Sequence, residues 1–222
     1  MKESGQYSSF MMDKALNDYV LAHTSEEDEL LRELTRTTHL RALHPRMLSG
    51  HLQGKLLEML SKMIAPKKAL EIGTFTGYSA ICIAKGIAPG GMLHTIEIND
   101  ELTDLARQFV ARSSVANKIT IHEGDALSII PKLTDDFDLI FIDGDKREYL
   151  QYYIAAKSKL RKGGYILADN VLWDGKITEE IKNNDRHTSG IASFNDYVAA
   201  DPEAETLLLP VRDGIMICKI NN

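Results

Sequence analysis

The chain is poor in several things, and each shortage narrows what it can be. Among 222 residues there are two cysteines, Cys82 and Cys218, both in apolar surroundings (AICIA and IMICK). Such thiols read as small buried hydrophobes rather than a disulfide framework or a thiolate metal site, which fits a reducing, cytoplasmic location. No stretch reaches the roughly 18 uninterrupted apolar residues of a membrane span. The N-terminal MKESGQYSSFMMDK also lacks the basic-then-apolar layout of a secretory signal, so no membrane association is expected. Positive charge is in deficit: 26 Lys and Arg against 32 Asp and Glu give a formal net charge of −6, which excludes bulk binding to nucleic acid or anionic lipid. With no internal repeat, no low-complexity linker and 44% hydrophobic residues, the chain is expected to form one α/β domain over 1–222.

The apolar residues that are present change rhythm once. Up to residue 65 they follow helical spacing. A first helix is expected over Met11 to Leu21, a second from an N-cap at Ser25 to about Leu40, and a third from Leu52 to Ile64, closed by Pro66. These helices would form a cover or lid over 1–65. From Lys68 onwards short apolar runs alternate with helical stretches near 78–88, 100–115 and 146–161. The runs KALEIG, MLHTIEI, KITIHEG, FDLIFID and GYILADN argue for βαβ units and a parallel sheet. ETLLLPV and IMICKI, joined across RDG, can pair antiparallel. The expected fold is therefore a Rossmann-like, seven-stranded mixed sheet over 66–222 with an antiparallel last strand. The long polar stretch Asp174 to Gly190 is expected to be an irregular loop, of the kind that serves as a lid.

One missing glycine decides the cofactor. In LEIGTFTGYS the first strand enters a turn with Gly73 and Gly77, but Phe75 stands where the dinucleotide fingerprint G-x-G-x-x-G requires glycine for close approach of a pyrophosphate. Glu71, just before the turn, would repel phosphate and attract a cation. The second strand ends in TIEIN, putting Glu97 where a carboxylate can accept from two ribose hydroxyls. HEGDAL places Asp125 and Ala126 on the same rim, where an adenine would lie. Taken singly, Glu71 or Glu97 reads as a solvated acid at a strand end. Together the set describes a ligand with an adenosine, a cationic centre and no phosphate, which is S-adenosylmethionine.

LEIGTFTGYSA, TIEIN, GDAL, FDLIFIDGDK, DNVLWDGK and the closing LLLPVRDGIMICK, in that order and spacing, resemble the cation-dependent class I O-methyltransferases, the group containing caffeoyl-CoA O-methyltransferases and catechol O-methyltransferase. The resemblance runs from about residue 45 to the end. It implies that Ser49, Glu71, Gly73, Thr74, Ser79, Glu97, Ala126 and Asp145 contact the cofactor, with Glu71 near the amino end of its methionine portion and Ser79 near the carboxylate. Asp125 is added from its place on the rim alone. The resemblance also implies a homodimer formed through the N-terminal helices.

Asp143 ends the fourth strand, and Asp169 and Asn170 end the fifth. Two carboxylates and an amide suit a hard divalent cation, Mg²⁺ first and Mn²⁺ or Ca²⁺ next, rather than Zn²⁺. Spacing alone leaves open a merely solvated or salt-bridged pair; the resemblance matches all three as ligands. A phenol attacks a methyl sulfonium poorly until it loses its proton, and Lys146, as a neutral amine, can take it. The alternative for Lys146 is a cationic partner for Asp143 or Asp145. Trp173 can stack on a planar aromatic substrate or anchor its own loop, and the resemblance favours the substrate side. At Asp174 the plant caffeoyl-CoA enzymes carry Asn, and the extra negative charge here disfavours an anionic acyl substrate.

The acceptor expected is a small aromatic with vicinal hydroxyls, a catechol or hydroxycinnamoyl derivative. Some bacterial relatives instead methylate 5-hydroxyuridine in tRNA, which would need a basic docking surface such as Arg32, Arg36, Arg41 and Arg46. A non-catalytic interaction protein on the same fold and an NAD-dependent dehydrogenase are the remaining readings; the retained acids and Lys146 speak against the first, and Phe75 against the second.

Overall fold

The computed structural model describes residues 13–134 and 136–221. Met11 and Met12, where the first helix was expected to begin, lie outside the described residues. Helix α1, Lys14–Ala22, is capped by the Asp13 carboxylate, which accepts from the Leu16 amide. Helix α2, Glu29–Arg41, starts later than expected, with Asp28 and not Ser25 at its N-cap. Starting there turns Leu31 and Leu34 inward and leaves Glu27 outside the helix to accept from the Tyr78 hydroxyl at 2.6 Å. Helix α3, Gly50–Ile64, ends where Ala65 turns left-handed at φ 49° and Pro66 prevents continuation.

The seven strands fall where their apolar runs put them. They are β1 (Lys68–Ile72), β2 (Met92–Glu97), β3 (Ile119–Glu123), β4 (Phe137–Ile142), β5 (Leu160–Asp169), β6 (Ala204–Leu209) and β7 (Ile215–Ile220). They form one sheet in the order β3-β2-β1-β4-β5-β7-β6, and β7 alone runs opposite to the other six. Between them lie α4 (Tyr78–Ala84), α5 (Asp100–Arg112), α6 (Ala126–Ile129), α7 (Tyr149–Lys157) and α8 (Arg186–Ala199). Helix α7 ends four residues earlier than the sequence suggested, because β5 already begins at Leu160.

The expected loop from Asp174 to Gly190 is only partly irregular. A short 3₁₀ stretch, Trp173–Thr178, opens it, and α8 already begins at Arg186, capped by Asp185 through the Thr188 amide and hydroxyl. Thr188, Ile191, Phe194 and Val198 form its buried stripe, and that stripe packs on Tyr149 and Tyr153 of α7.

Each face of the sheet carries its own core. Helices α2 to α5 cover one face around Leu34, Leu57, Tyr78, Ile81 and Phe109, while α6 to α8 cover the other around Tyr149, Tyr153, Phe194 and Val198. Burying a side chain such as Leu34 or Leu57 contributes about 2 kcal/mol. Both cysteines sit in these cores, Cys82 on one side and Cys218 on the other, and burial pushes both thiols up. Among the described residues no helix is long and apolar enough to cross a membrane. The strand order reverses direction at β1 and β4, so the crevice for a ligand opens beyond the carboxyl ends of those two strands.

Candidate active site

The turn after β1 is built by close approach. Gly73 adopts φ 102°, and a Cβ there would lie 2.1 Å from the carbonyl oxygen of Asp143 after β4. No other residue fits, and the contact ties the two sides of the crevice together. The Gly73 and Thr74 amides both donate to the Ile96 carbonyl of β2, and Gly77 at φ 90° delivers the chain into α4.

Glu71 is fully buried at the end of β1. The Thr95 hydroxyl donates to its Oε2 and the Ser79 hydroxyl lies close by, while its Oε1 has no hydrogen-bond partner among the described residues. Burial pushes its carboxyl up to about 8, against the pull of these two hydroxyls. Thr74 is equally buried and shares a 2.6 Å hydrogen bond with Thr95. Glu97 ends β2 and is held by two backbone amides, Phe75 at 2.6 Å to Oε2 and Asn99 at 2.9 Å to Oε1; burial still raises its carboxyl.

Farther along the rim, Asp125 caps α6, accepting from the amide and hydroxyl of Ser128, which holds its carboxyl below the usual range. Ala126 is buried beside it. Asp145 caps the short turn Lys146–Glu148 and forms a fork with Arg147 that lowers its carboxyl. Ser49 is buried at the head of α3.

On the β4–β5 side, Lys146 is largely buried, and its amine donates to Asp143 Oδ1 at 2.9 Å and to the Tyr149 hydroxyl. That hydroxyl donates onward to the Asp169 carbonyl at 2.9 Å, so toward Lys146 it acts as an acceptor. Asp169 is 3% exposed, and its carboxyl is pushed up to about 6 by burial and by the charge of Asp143. Its Oδ2 accepts from Gln53 Nε2 at 2.6 Å and its Oδ1 from the Asn170 amide at 2.8 Å. Asn170 sits left-handed at φ 57°, with the Asp213 carboxylate near its side chain. Among the described residues no group of three or more His, Cys, Asp or Glu forms a metal cluster; the set here is two carboxylates and an amide.

Trp173 and Asp174 both have positive φ, 48° and 52°. The Trp173 ring stacks against His187 at 6.1 Å, with the Lys176 amine 5.8 Å from its centre, and Asp174 is exposed while its amide donates to Asp213. The acids expected at the rim thus lie at the ends of β1, β2, β4 and β5, around one crevice. Four contributors were not seen in the sequence: Gln53, Tyr149, Arg212 and Asp213. Tyr149 stands three residues after Lys146, and Arg212 and Asp213 lie within the closing LLLPVRDGIMICK, but neither place announced a role; Gln53 belongs to none of the motifs, and Arg212 enters by donating to Gln53 Oε1.

A sheet of this order, with acids at the ends of successive strands around its switch point, is the architecture of class I methyltransferases. The O-methyltransferase family profile matches residues 21–220. A caffeoyl-CoA O-methyltransferase of Eucalyptus gunnii is 34% identical over 96% of this chain and 90% of its own length, and one from Nicotiana tabacum is 32% identical over 96% and 94%. Among solved structures, the O-methyltransferase TomG of Streptomyces achromogenes, in complex with S-adenosylmethionine (SAM) and involved in tomaymycin synthesis, superposes with a TM-score of 0.86 at 29% identity, covering 96% of this chain and 100% of its own. An O-methyltransferase from Bacillus cereus in complex with SAH gives 0.87 at 29%, covering 93% and 97%. The chain belongs to the O-methyltransferase family of class I, S-adenosylmethionine-dependent enzymes.

Proposed function

We propose that this O-methyltransferase transfers the methyl group of S-adenosylmethionine to one hydroxyl of a small aromatic with vicinal hydroxyls, with a divalent cation held by Asp143, Asp169 and Asn170. The observation that carries the cofactor half is the orphaned Oε1 of Glu71, since a buried carboxylate oxygen without a donor is costly and the ammonium of a methionine group would satisfy it. Glu97 takes the ribose hydroxyls with the lone pairs its two amide contacts leave over. Ser49, Gly73, Thr74 and Ser79 line the methionine side, and Asp125, Ala126 and Asp145 the adenine side, with Asp125 also serving as a helix cap.

On the acceptor side, Asp143 and Asp169 oppose one another closely enough to raise the Asp169 carboxyl, a repulsion that a cation would relieve. An all-oxygen donor set fits Mg²⁺, with Mn²⁺ or Ca²⁺ as substitutes. Held there, a cation would supply Lewis acidity that favours the phenolate. Lys146 is the group placed to accept the phenolic proton, its amine held between Asp143 Oδ1 and the Tyr149 hydroxyl. Trp173 bounds the aromatic ring, and Asp174, exposed beside it, disfavours an anionic acyl group. A closed crevice that excludes water assists, because opposite charges are lost together in the transition state.

A second reading is methyl transfer to 5-hydroxyuridine in tRNA. Arg32, Arg36, Arg41 and Arg46 are all exposed and form no ion pair among the described residues, which leaves their charges free for phosphate on an otherwise acidic protein. Leu40, Leu43, Met47, Met59 and Met63, exposed on the same helices and the segment joining them, would form the contact of a homodimer. The discriminating experiment is a methyl-transfer screen across catechols, caffeoyl thioesters and hypomodified tRNA, with and without EDTA. Catechol methylation that EDTA stops and Mg²⁺ restores supports the first reading. Methylation of tRNA alone selects the second, and full activity of Asp169→Ala would sink the cation assignment.

A further inference from the structure

The β6–β7 turn, Arg212-Asp213-Gly214, is remote from the glycine turn, yet it reaches both sides of the crevice. Arg212 is left-handed at φ 53°. Its guanidinium donates to the Ser49 carbonyl, to the Leu48 carbonyl at 3.4 Å and to Gln53 Oε1 at 2.8 Å. Gln53 is 1% exposed and spends its other end on Asp169 Oδ2.

A guanidinium has donors only, so it can face nothing but the oxygen of the Gln53 amide. That settles which way the amide points and leaves Nε2 for the carboxylate. Without Arg212 the amide is free to turn its oxygen toward Asp169, replacing an attraction with a repulsion. The same guanidinium secures the two carbonyls that open α3, one of them belonging to Ser49 on the cofactor side.

We propose that Arg212 is a positioning residue that acts through Gln53 to aim Asp169 at the divalent cation. The inference rests on the reading of Asp143, Asp169 and Asn170 as cation ligands. Gln53 commits one lone pair of Oδ2 and the Asn170 amide one of Oδ1, and the remaining pairs are left for the cation. Partners of this kind, which hold a ligand from behind, typically govern about ten- to a hundredfold in metal affinity.

The test is Mn²⁺ binding followed by the paramagnetic resonance signal of the free ion, without cofactor or substrate. The proteins compared are the wild type, Arg212→Met, Arg212→Lys, Gln53→Leu, the Arg212→Met/Gln53→Leu double variant and Asp143→Ala. Each single variant at 212 or 53 is expected to weaken binding about tenfold or more. The double variant should be no more than about twofold weaker than the weaker single, because the two residues act in series. Arg212→Lys keeps the charge but cannot serve the Ser49 carbonyl and Gln53 together, so it should also lose affinity, in a protein whose thermal unfolding stays near wild type. Wild-type affinity in Arg212→Met and Gln53→Leu, with affinity lost in Asp143→Ala, overturns the relay and leaves the ligand reading standing. Effects that multiply in the double variant overturn it too. Wild-type affinity in Asp143→Ala brings down the ligand reading and the relay with it.

Discussion

On the β1–β2 side of the crevice the acids are held by near neighbours: Glu71 by Ser79 and Thr95, and Glu97 by the amides of Phe75 and Asn99. On the β4–β5 side they are held by side chains, some from far along the chain. Lys146 holds Asp143 from three residues away, but Gln53 reaches Asp169 across 116 residues, and Arg212 reaches Gln53 across 159. Backbone amides and next-strand hydroxyls take their places once the sheet pairs, whereas a side-chain relay exists only when the N-terminal helices and the C-terminal turn are both docked. On the reading proposed above, the acids of the cofactor half are therefore fixed largely by the sheet and its first turn, and those of the acceptor half are open to adjustment by substitutions outside it.

The largest effect should separate the halves. Lys146→Met is expected to lower kcat by a factor of about 10² to 10⁴, the usual worth of a positioned acid–base group, with S-adenosylmethionine affinity by calorimetry essentially unchanged. A comparable loss of cofactor affinity would mean the two halves are not separable. Gly73→Ala attacks the seam between them. With a Cβ 2.1 Å from the Asp143 carbonyl oxygen and φ 102°, it should destabilise the protein by about 3 kcal/mol in urea unfolding and damage both halves at once.

Glu71→Gln should act on the cofactor half alone, lowering S-adenosylmethionine affinity about tenfold, the value of one charge-assisted hydrogen bond. It also carries a pH signature. The Glu71 carboxyl is raised from 4.5 to about 8, so the folded chain prefers it neutral. Its contribution to stability is fully present below the ordinary value and is lost as pH rises through about 8. The Tm of the free protein should therefore fall relative to that of Glu71→Gln between pH 4.5 and 8, and parallel curves would refute the buried, unpaired carboxylate. The smallest effect is expected from Asp125→Ala, about 1 kcal/mol of stability from the lost cap. If cofactor affinity also falls severalfold, Asp125 belongs to the adenine wall as well as to its helix.

The same contrast explains what could be read in the sequence. Strands such as FDLIFI and KALEI declare themselves as short, mostly apolar runs between helical stretches, and with them came the positions of Glu71, Glu97, Asp143 and Asp169 at their ends. Helix α8 was missed because its buried stripe of Thr188, Ile191, Phe194 and Val198 is diluted by Ser189, Gly190 and Asn195, so its first turn reads as loop. The start of α2 was misplaced because Ser25 and Asp28 are both good caps, and the choice between them rests on Glu27 meeting Tyr78, a contact across 51 residues. The roles of Gln53, Arg212 and Asp213 were invisible for the same reason, although the last two lie within the closing motif: an amide, a guanidinium and a turn acid acquire their roles only from tertiary neighbours.

The two sealed cysteines have a practical consequence. Cys82 and Cys218 are 1% and 0% exposed, with thiols that burial keeps protonated at neutral pH, so neither offers a thiolate to an alkylating dye. The natural protein is already a silent background for labelling. A single cysteine placed at the exposed Glu180, within the segment that follows Trp173, would carry a fluorophore or spin label at one site. Movement of that segment on ligand addition could then be followed without first removing any native thiol.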